Sequence, residues 1–217
     1  VTEIYVGKGA KVTSTMIHNW GKNIAVFPRS ATIVEEDGVF LSNYVCMEQV
    51  RKIQMEPICH LKGERAVGRF SSVVVCTPGS FMDLGSIAVL GAKGTSAELI
   101  TRAITTGGTI LSRGRIDGKV KGTKGHIECK GLILRDGTIH AIPEIKGDVV
   151  DTELSHEAAV GKIARDEIEY LMARGLDEET ATATIIRGFL DVKVEGLPDV
   201  LQSQIDAAID AAEKSGF

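Results

Sequence analysis

Residues 155–190 read SHEAAVGKIARDEIEYLMARGLDEETATATIIRGFL, and the texture of the chain changes as it crosses them. Asp166 stands where it can cap a helix running to about Ala173, with Ile168, Leu171 and Met172 on one face at i, i+3, i+4. Gly175 stops that helix, and Asp177 caps a second whose apolar stripe is Ala181, Ile185, Ile186, Phe189 and Leu190. Pro198 suits the first turn of a third helix, with Leu201, Ile205, Ala208, Ile209 and Ala212 inward. Residues 156–217 therefore read as a small helical domain. Helices this short are marginal alone, so their apolar faces must pack on something.

Upstream, residues 1–155 read as many short strands and almost no helix. VTSTMIH, NIAVF, SATIVEE, SSVVVC, GSIAVLG and GHIECKGLIL are rich in Val, Ile and Thr and are separated by Gly-containing turns. Asp37-Gly38, Asp117-Gly118 and Asp136-Gly137 are the candidate hairpin turns. Two architectures fit: an antiparallel sandwich, or a parallel β-helix with coils of roughly 20–25 residues stacked on a shared core. The pattern carries no clean repeat and leaves both open. The opening VTEIYVG already reads as a strand and begins with Val, so the expectation is a β domain lacking its N-terminal part.

Apolar residues make up 43% of the 217 residues, ample for a core, and no run reaches the roughly 20 that a membrane span needs. A soluble, cytoplasmic protein is expected. The net charge of −4 is too mild to point to nucleic acid. It is unevenly spread: residues 151–217 hold 6 Lys/Arg against 15 Asp/Glu, and the first 150 hold 19 against 14. A mildly basic body thus precedes an acidic tail, and the two should make different contacts.

The cysteines are Cys46, Cys59, Cys76 and Cys129, with no C-x-x-C pair, which excludes a zinc ribbon or thioredoxin-like motif. In the strand HIECK (126–130), Cys129 shares a face with Ile127, while His126, Glu128 and Lys130 point the other way. That parity packs the thiol inward; a functional thiolate would need a metal or a nearby cation. At the junction, His156 can ligate a metal through a neutral nitrogen, and Glu157 can ligate it or move protons. Thiolate with imidazole suits iron–sulfur chemistry, and in a β-helix Cys129 and His156 can lie on neighbouring coils. His140 and the Cys59-His60 pair read as packing or loop residues. Gly107-Gly108 and Gly91–Gly94 are not phosphate loops, since no G-x-x-x-x-G-K-[ST] is present.

The 155–190 segment resembles the C-terminal signature of the SufB/SufD family. The match rests on His156, Ala158, Lys162 and Ile163, then Arg174-Gly175-Leu176, then Gly188-Phe189. It extends through 125–145 and, more loosely, through 59–75. The resemblance implies a right-handed parallel β-helix followed by a helical C-terminal domain. It also implies a non-enzymatic scaffold for iron–sulfur cluster assembly that pairs with a second SufB/SufD-type subunit, as homodimer or heterodimer. Such a pair engages SufC, an ABC-type ATPase, largely through the C-terminal helices.

The cysteine required of SufB falls on Cys129, the histidine important in SufD on His156, and the SufB glutamate on Glu157. By resemblance, then, a transient iron–sulfur cluster is held by Cys129 and His156 with Glu157 at hand. Ser155 and Val160-Gly161-Lys162 are similar to SufD, Cys129 and Glu157 to SufB, and Gly137 stands where SufB has a further cysteine. That merged character suits a single SufBD-type protein pairing with itself. The alternative is a SufD-like structural subunit that docks the ATPase without holding the cluster. A polysaccharide-cleaving β-helix is disfavoured by one Trp and three Tyr, too few for sugar platforms.

Overall fold

In the computed structural model, which describes residues 1–190 and Ser203, every strand pairing is parallel. Successive coils contribute β1 (Thr2–Val6), β2 (Lys11–Ile17) and β3 (Ala25–Val26), then β4 (Ser30–Val34), β5 (Val39–Cys46) and β6 (Lys52–Met55). Next come β7 (Ile58–Leu61), β8 (Val67–Cys76) and β9 (Phe81–Leu84), then β10 (Ile87–Leu90), β11 (Ser96–Thr105) and β12 (Thr109–Gly118). β13 (Thr123–Ile133), β14 (Thr138–Gly147) and β15 (Thr152–Gly161) complete the stack. One face is a six-stranded sheet in the order β15-β13-β11-β8-β5-β2, and the other is a nine-stranded sheet in which β12 joins two columns of shorter strands. This is a parallel β-helix, and the sandwich is excluded.

The coil is longer than expected. Thr2 stands against Ser30, Val39 against Val67 and Val67 against Ser96, so one turn takes 28 or 29 residues, not 20–25. The extra length goes into the nine-stranded face, where each early coil makes two short strands instead of one. Pro28 and Pro57 sit at those breaks, where they cannot donate to a ladder. β12 has no proline and runs unbroken, and Pro143 is tolerated in β14, whose only described partner in the sheet is β12. None of the three Asp-Gly steps makes a hairpin: Asp37 takes a positive φ of 56° in the turn between β4 and β5 of one coil, and Asp117-Gly118 ends β12.

Side chains of one register position stack along the solenoid axis. Val6, Val34, Leu61 and Leu90 form one fully buried ladder, and Ile53, Met82, Ile110 and Ile139 form another. Each such side chain stabilises the fold by roughly 1.5–3 kcal/mol.

The solenoid does not end at residue 155, because β15 carries it to Gly161. α1 (Arg165–Ala173) starts after Ala164 with no side-chain cap, so Asp166 lies inside the first turn and does not cap it. Gly175, at φ 101°, ends that helix as expected. Asp177 does cap α2 (Glu178–Leu190), with Oδ1 accepting from the Thr180 N–H at 2.8 Å. Ile186 and Leu190 of α2 pack on Val45, Val73, Ile104 and Leu132, which covers part of the outer side of the six-stranded sheet. The helix expected from Pro198 lies outside the described residues. No helix among them is long and apolar enough to cross a membrane.

Candidate functional site

β13 alternates as its sequence requires. Ile127 and Cys129 are buried, Cys129 at 2% exposure, while His126, Glu128 and Lys130 lie part-exposed on the outer face. β15 lies beside β13 in parallel register, Ile127 against His156, Glu128 against Glu157 and Cys129 against Ala158. Side chains in parallel register share a face. His156 is therefore on the inner face with Cys129, one strand across and two residues back, and it is exposed because no described strand covers β15. Strand spacing and rise put their Cα atoms roughly 8 Å apart. Glu157 faces the opposite side. Cys129 and His156 are brought together as expected, and Glu157 is separated from them by the thickness of the sheet.

Glu157 instead joins residues that sequence reading had placed only as outward-facing. Ligand atoms of His126, Glu128 and Glu157 all lie within 4.8 Å of one another. Lys130 Nζ sits between the two carboxylates, 3.4 Å from Glu128 and 3.3 Å from Glu157, and Arg102 pairs with Glu128. His126 Nδ1 is 2.9 Å from Ser155 Oγ. Burial works to raise the Glu128 carboxyl, but Arg102 and Lys130 outweigh it and hold it below its usual value. A divalent ion could be liganded here only by displacing the lysine ammonium. Beside the cluster a groove of about 460 Å³ runs over the outer face, lined by Arg69, Glu98, Lys124, His126, Glu153 and Ser155. The signal for this grouping was the 29-residue step from Glu128 to Glu157, one full coil.

The inner side is apolar. Cys129 packs in one cluster with Leu99, Ile116 and Ile127, with Ala141 and Leu154 at its margin. Burial pushes up all four thiols: Cys46 to about 11, Cys59 and Cys76 to about 12, and Cys129 in the same direction. At Cys129 the Ser112 hydroxyl opposes that rise. All four are therefore protonated in the resting chain, and metal binding at Cys129 would release a proton. Cys59 is buried and His60 points to the other face of β7, while His140 is exposed on β14. Gly107 and Gly108 form a tight turn around the Thr105 hydroxyl, which donates to the Gly108 carbonyl at 2.8 Å.

Residues 1–189 match a family model described as SUF system FeS cluster assembly, SufBD core domain. An iron-sulfur cluster assembly SufBD family protein of Archaeoglobus fulgidus is 46% identical over 215 residues, covering 99% of this chain and 58% of that protein. A homologue so named in Methanothermobacter thermautotrophicus is 42% identical over 216 residues, covering 99% and 53%. One from Staphylococcus epidermidis is 35% identical over 205 residues, covering 91% and 43%. The chain spans about half the length of the curated relatives it matches.

Proposed function

The chain belongs to the SufBD family of iron–sulfur cluster assembly proteins, and on that premise we propose that it is the part of a cytoplasmic, non-enzymatic scaffold that holds a nascent cluster at a subunit interface. The observation that carries this reading is the shared inner face of Cys129 and His156 on neighbouring strands of the last described coil. A thiolate and an imidazole so placed can bind iron, and a second SufB/SufD-type subunit meeting β15 would supply the remaining ligands. Pairing of this chain with a second copy fits the merged character of its sequence.

Glu157 takes a different part from a ligand beside Cys129. Facing outward with His126 and Glu128, it could hold incoming iron once Lys130 swings away, or pass protons before the ion reaches the inner face. Cys129 is covered in the resting chain, so a cluster there requires the last coil to move. ATP hydrolysis by a bound SufC-like ATPase is the proposed source of that movement.

The burial of Cys129 also favours a second reading, a SufD-like subunit that docks the ATPase and leaves the cluster to its partner. Anaerobic reconstitution of the full-length protein, co-expressed with its ATPase, separates the two. Iron and sulfide content and visible absorption are compared between wild type and Cys129→Ser. Loss of the cluster in the variant is expected; equal content in both would overturn the scaffold reading in favour of the docking one.

A further inference from the structure

Across the lumen, β12 and β13 face each other in a fixed register. A Cβ on Gly125 would meet Ile116 Cγ2 at 2.8 Å, and one on Gly114 would meet Ile127 Cγ2 at 2.8 Å. Residue 116 therefore opposes 125 and residue 114 opposes 127. The next inward pair is Ser112 and Cys129.

Ser112 is an odd residue for its place. It is 2% exposed, its sheet neighbours are Leu84 and Ala141, and its hydroxyl completes no hydrogen bond of normal geometry. A buried hydroxyl without a partner destabilises a fold, and alanine at this position would satisfy the core better. A serine has a use here only if something else arrives for it to bind, and the group it faces is the Cys129 sulfur.

We propose that Ser112 is a positioning residue for that sulfur: its Oγ–H donates to Cys129 Sγ when the sulfur is a metal-bound thiolate, fixing its direction and drawing off charge. This rests on the reading of Cys129 as a cluster ligand. Hydrogen bonds to ligand sulfur are among the main means by which a protein tunes an iron–sulfur centre. In the metal-free chain the hydroxyl faces a protonated thiol, a weak acceptor, with poor geometry, so the device should cost stability until sulfur binds metal.

The test uses the full-length protein co-expressed with its ATPase and supplied with ATP, with Co(II) as the metal probe, under anaerobic conditions. Wild type, Cys129→Ser, Ser112→Ala and Ser112→Thr are compared by the sulfur-to-cobalt charge-transfer band. Cys129→Ser should abolish the band. Ser112→Ala should move it to lower energy and weaken Co(II) binding roughly tenfold, and Ser112→Thr should restore both. The metal-free Ser112→Ala protein should meanwhile unfold at about 2–4 °C higher than wild type, since a buried and poorly paired hydroxyl is gone. A band that vanishes in Cys129→Ser but is unmoved in Ser112→Ala overturns the role of Ser112 alone. No band in wild type, or one that survives Cys129→Ser, overturns the ligand reading and this inference with it. A Ser112→Ala protein less stable than wild type would make the hydroxyl a structural group and also overturn the inference.

Discussion

The two faces of β13 are built from the same five-residue stretch and obey opposite rules. Inward, Ile127 and Cys129 lie in an apolar core with Leu99 and Ile116. Outward, His126, Glu128 and Lys130 sit in a lattice of charges, with Arg102 on one neighbouring strand and Glu157 on the other. The inner face holds a covered thiol; the outer face presents carboxylates paired with Arg102 and Lys130. Under the proposed scaffold reading, this division would keep the two chemistries on separate sides of the sheet as far as β15, where His156 is exposed.

The inner face should break hardest. Ile127 is fully buried between Leu99 and the last coil, opposite Gly114, which has no side chain to collapse into a vacated space. Ile127→Ala in the full-length protein should cost about 2–5 kcal/mol of unfolding free energy, measured by denaturant titration. A loss below about 1 kcal/mol would show that the core around Cys129 is loosely packed and that the thiol needs no coil movement to be reached.

The outer face should respond next, and in a different way. The Arg102 and Glu128 side chains are only 15% and 16% exposed, so Glu128→Ala strands a half-dry guanidinium and should cost about 2–3 kcal/mol. The double variant Glu128→Leu with Arg102→Met should recover most of it. Against the effect of burial, Arg102 and Lys130 hold the Glu128 carboxyl below its ordinary value in the fold, so the unfolded chain takes up its proton first as pH falls. Its stabilising contribution is complete above the ordinary value and is lost as pH drops through the lower folded one. Chemical denaturation at about pH 6 and about pH 3 should show wild type losing more than Glu128→Gln. Parallel losses would mean that Arg102 and Lys130 do not hold this carboxylate.

How much of this was legible in the sequence follows the same division. The alternation of HIECK gave the inward thiol correctly, because a strand's two-residue period is local. The partner of Glu128 was not legible, because it depends on the coil length. No repeat betrayed the 28–29-residue turn: Glu98, His126 and Ser155 occupy one register column and have nothing in common as residues. Solenoid cores ask only for apolar bulk on the inside, and the outer columns are free to vary. The tail signature supplied the family and the fold, yet it placed His156 and Glu157 at a junction between domains when both lie inside the last strand. Ser112 carried no signal at all, since a serine in a strand is unremarkable until its opposite number across the lumen is known.

The smallest effect is the most useful control. Lys124 and Glu153 occupy the next outward column and make an ion pair of 2.8 Å, but their side chains are 67% and 72% exposed. Water screens such a pair, and the entropy of fixing two long side chains offsets most of the attraction. Lys124→Ala should therefore move the thermal midpoint by less than about 1 °C, and that small shift should vanish in high salt. The comparison with Arg102 and Glu128 then shares the sheet and strand β13, and differs in the facing strand and, most of all, in burial. Should Lys124→Ala instead cost as much as Glu128→Ala, burial would not be what sets the Glu128 cluster apart. The whole outer ladder would then be acting as one network, and the case for a special role of Glu157 and its neighbours in handling iron would weaken accordingly.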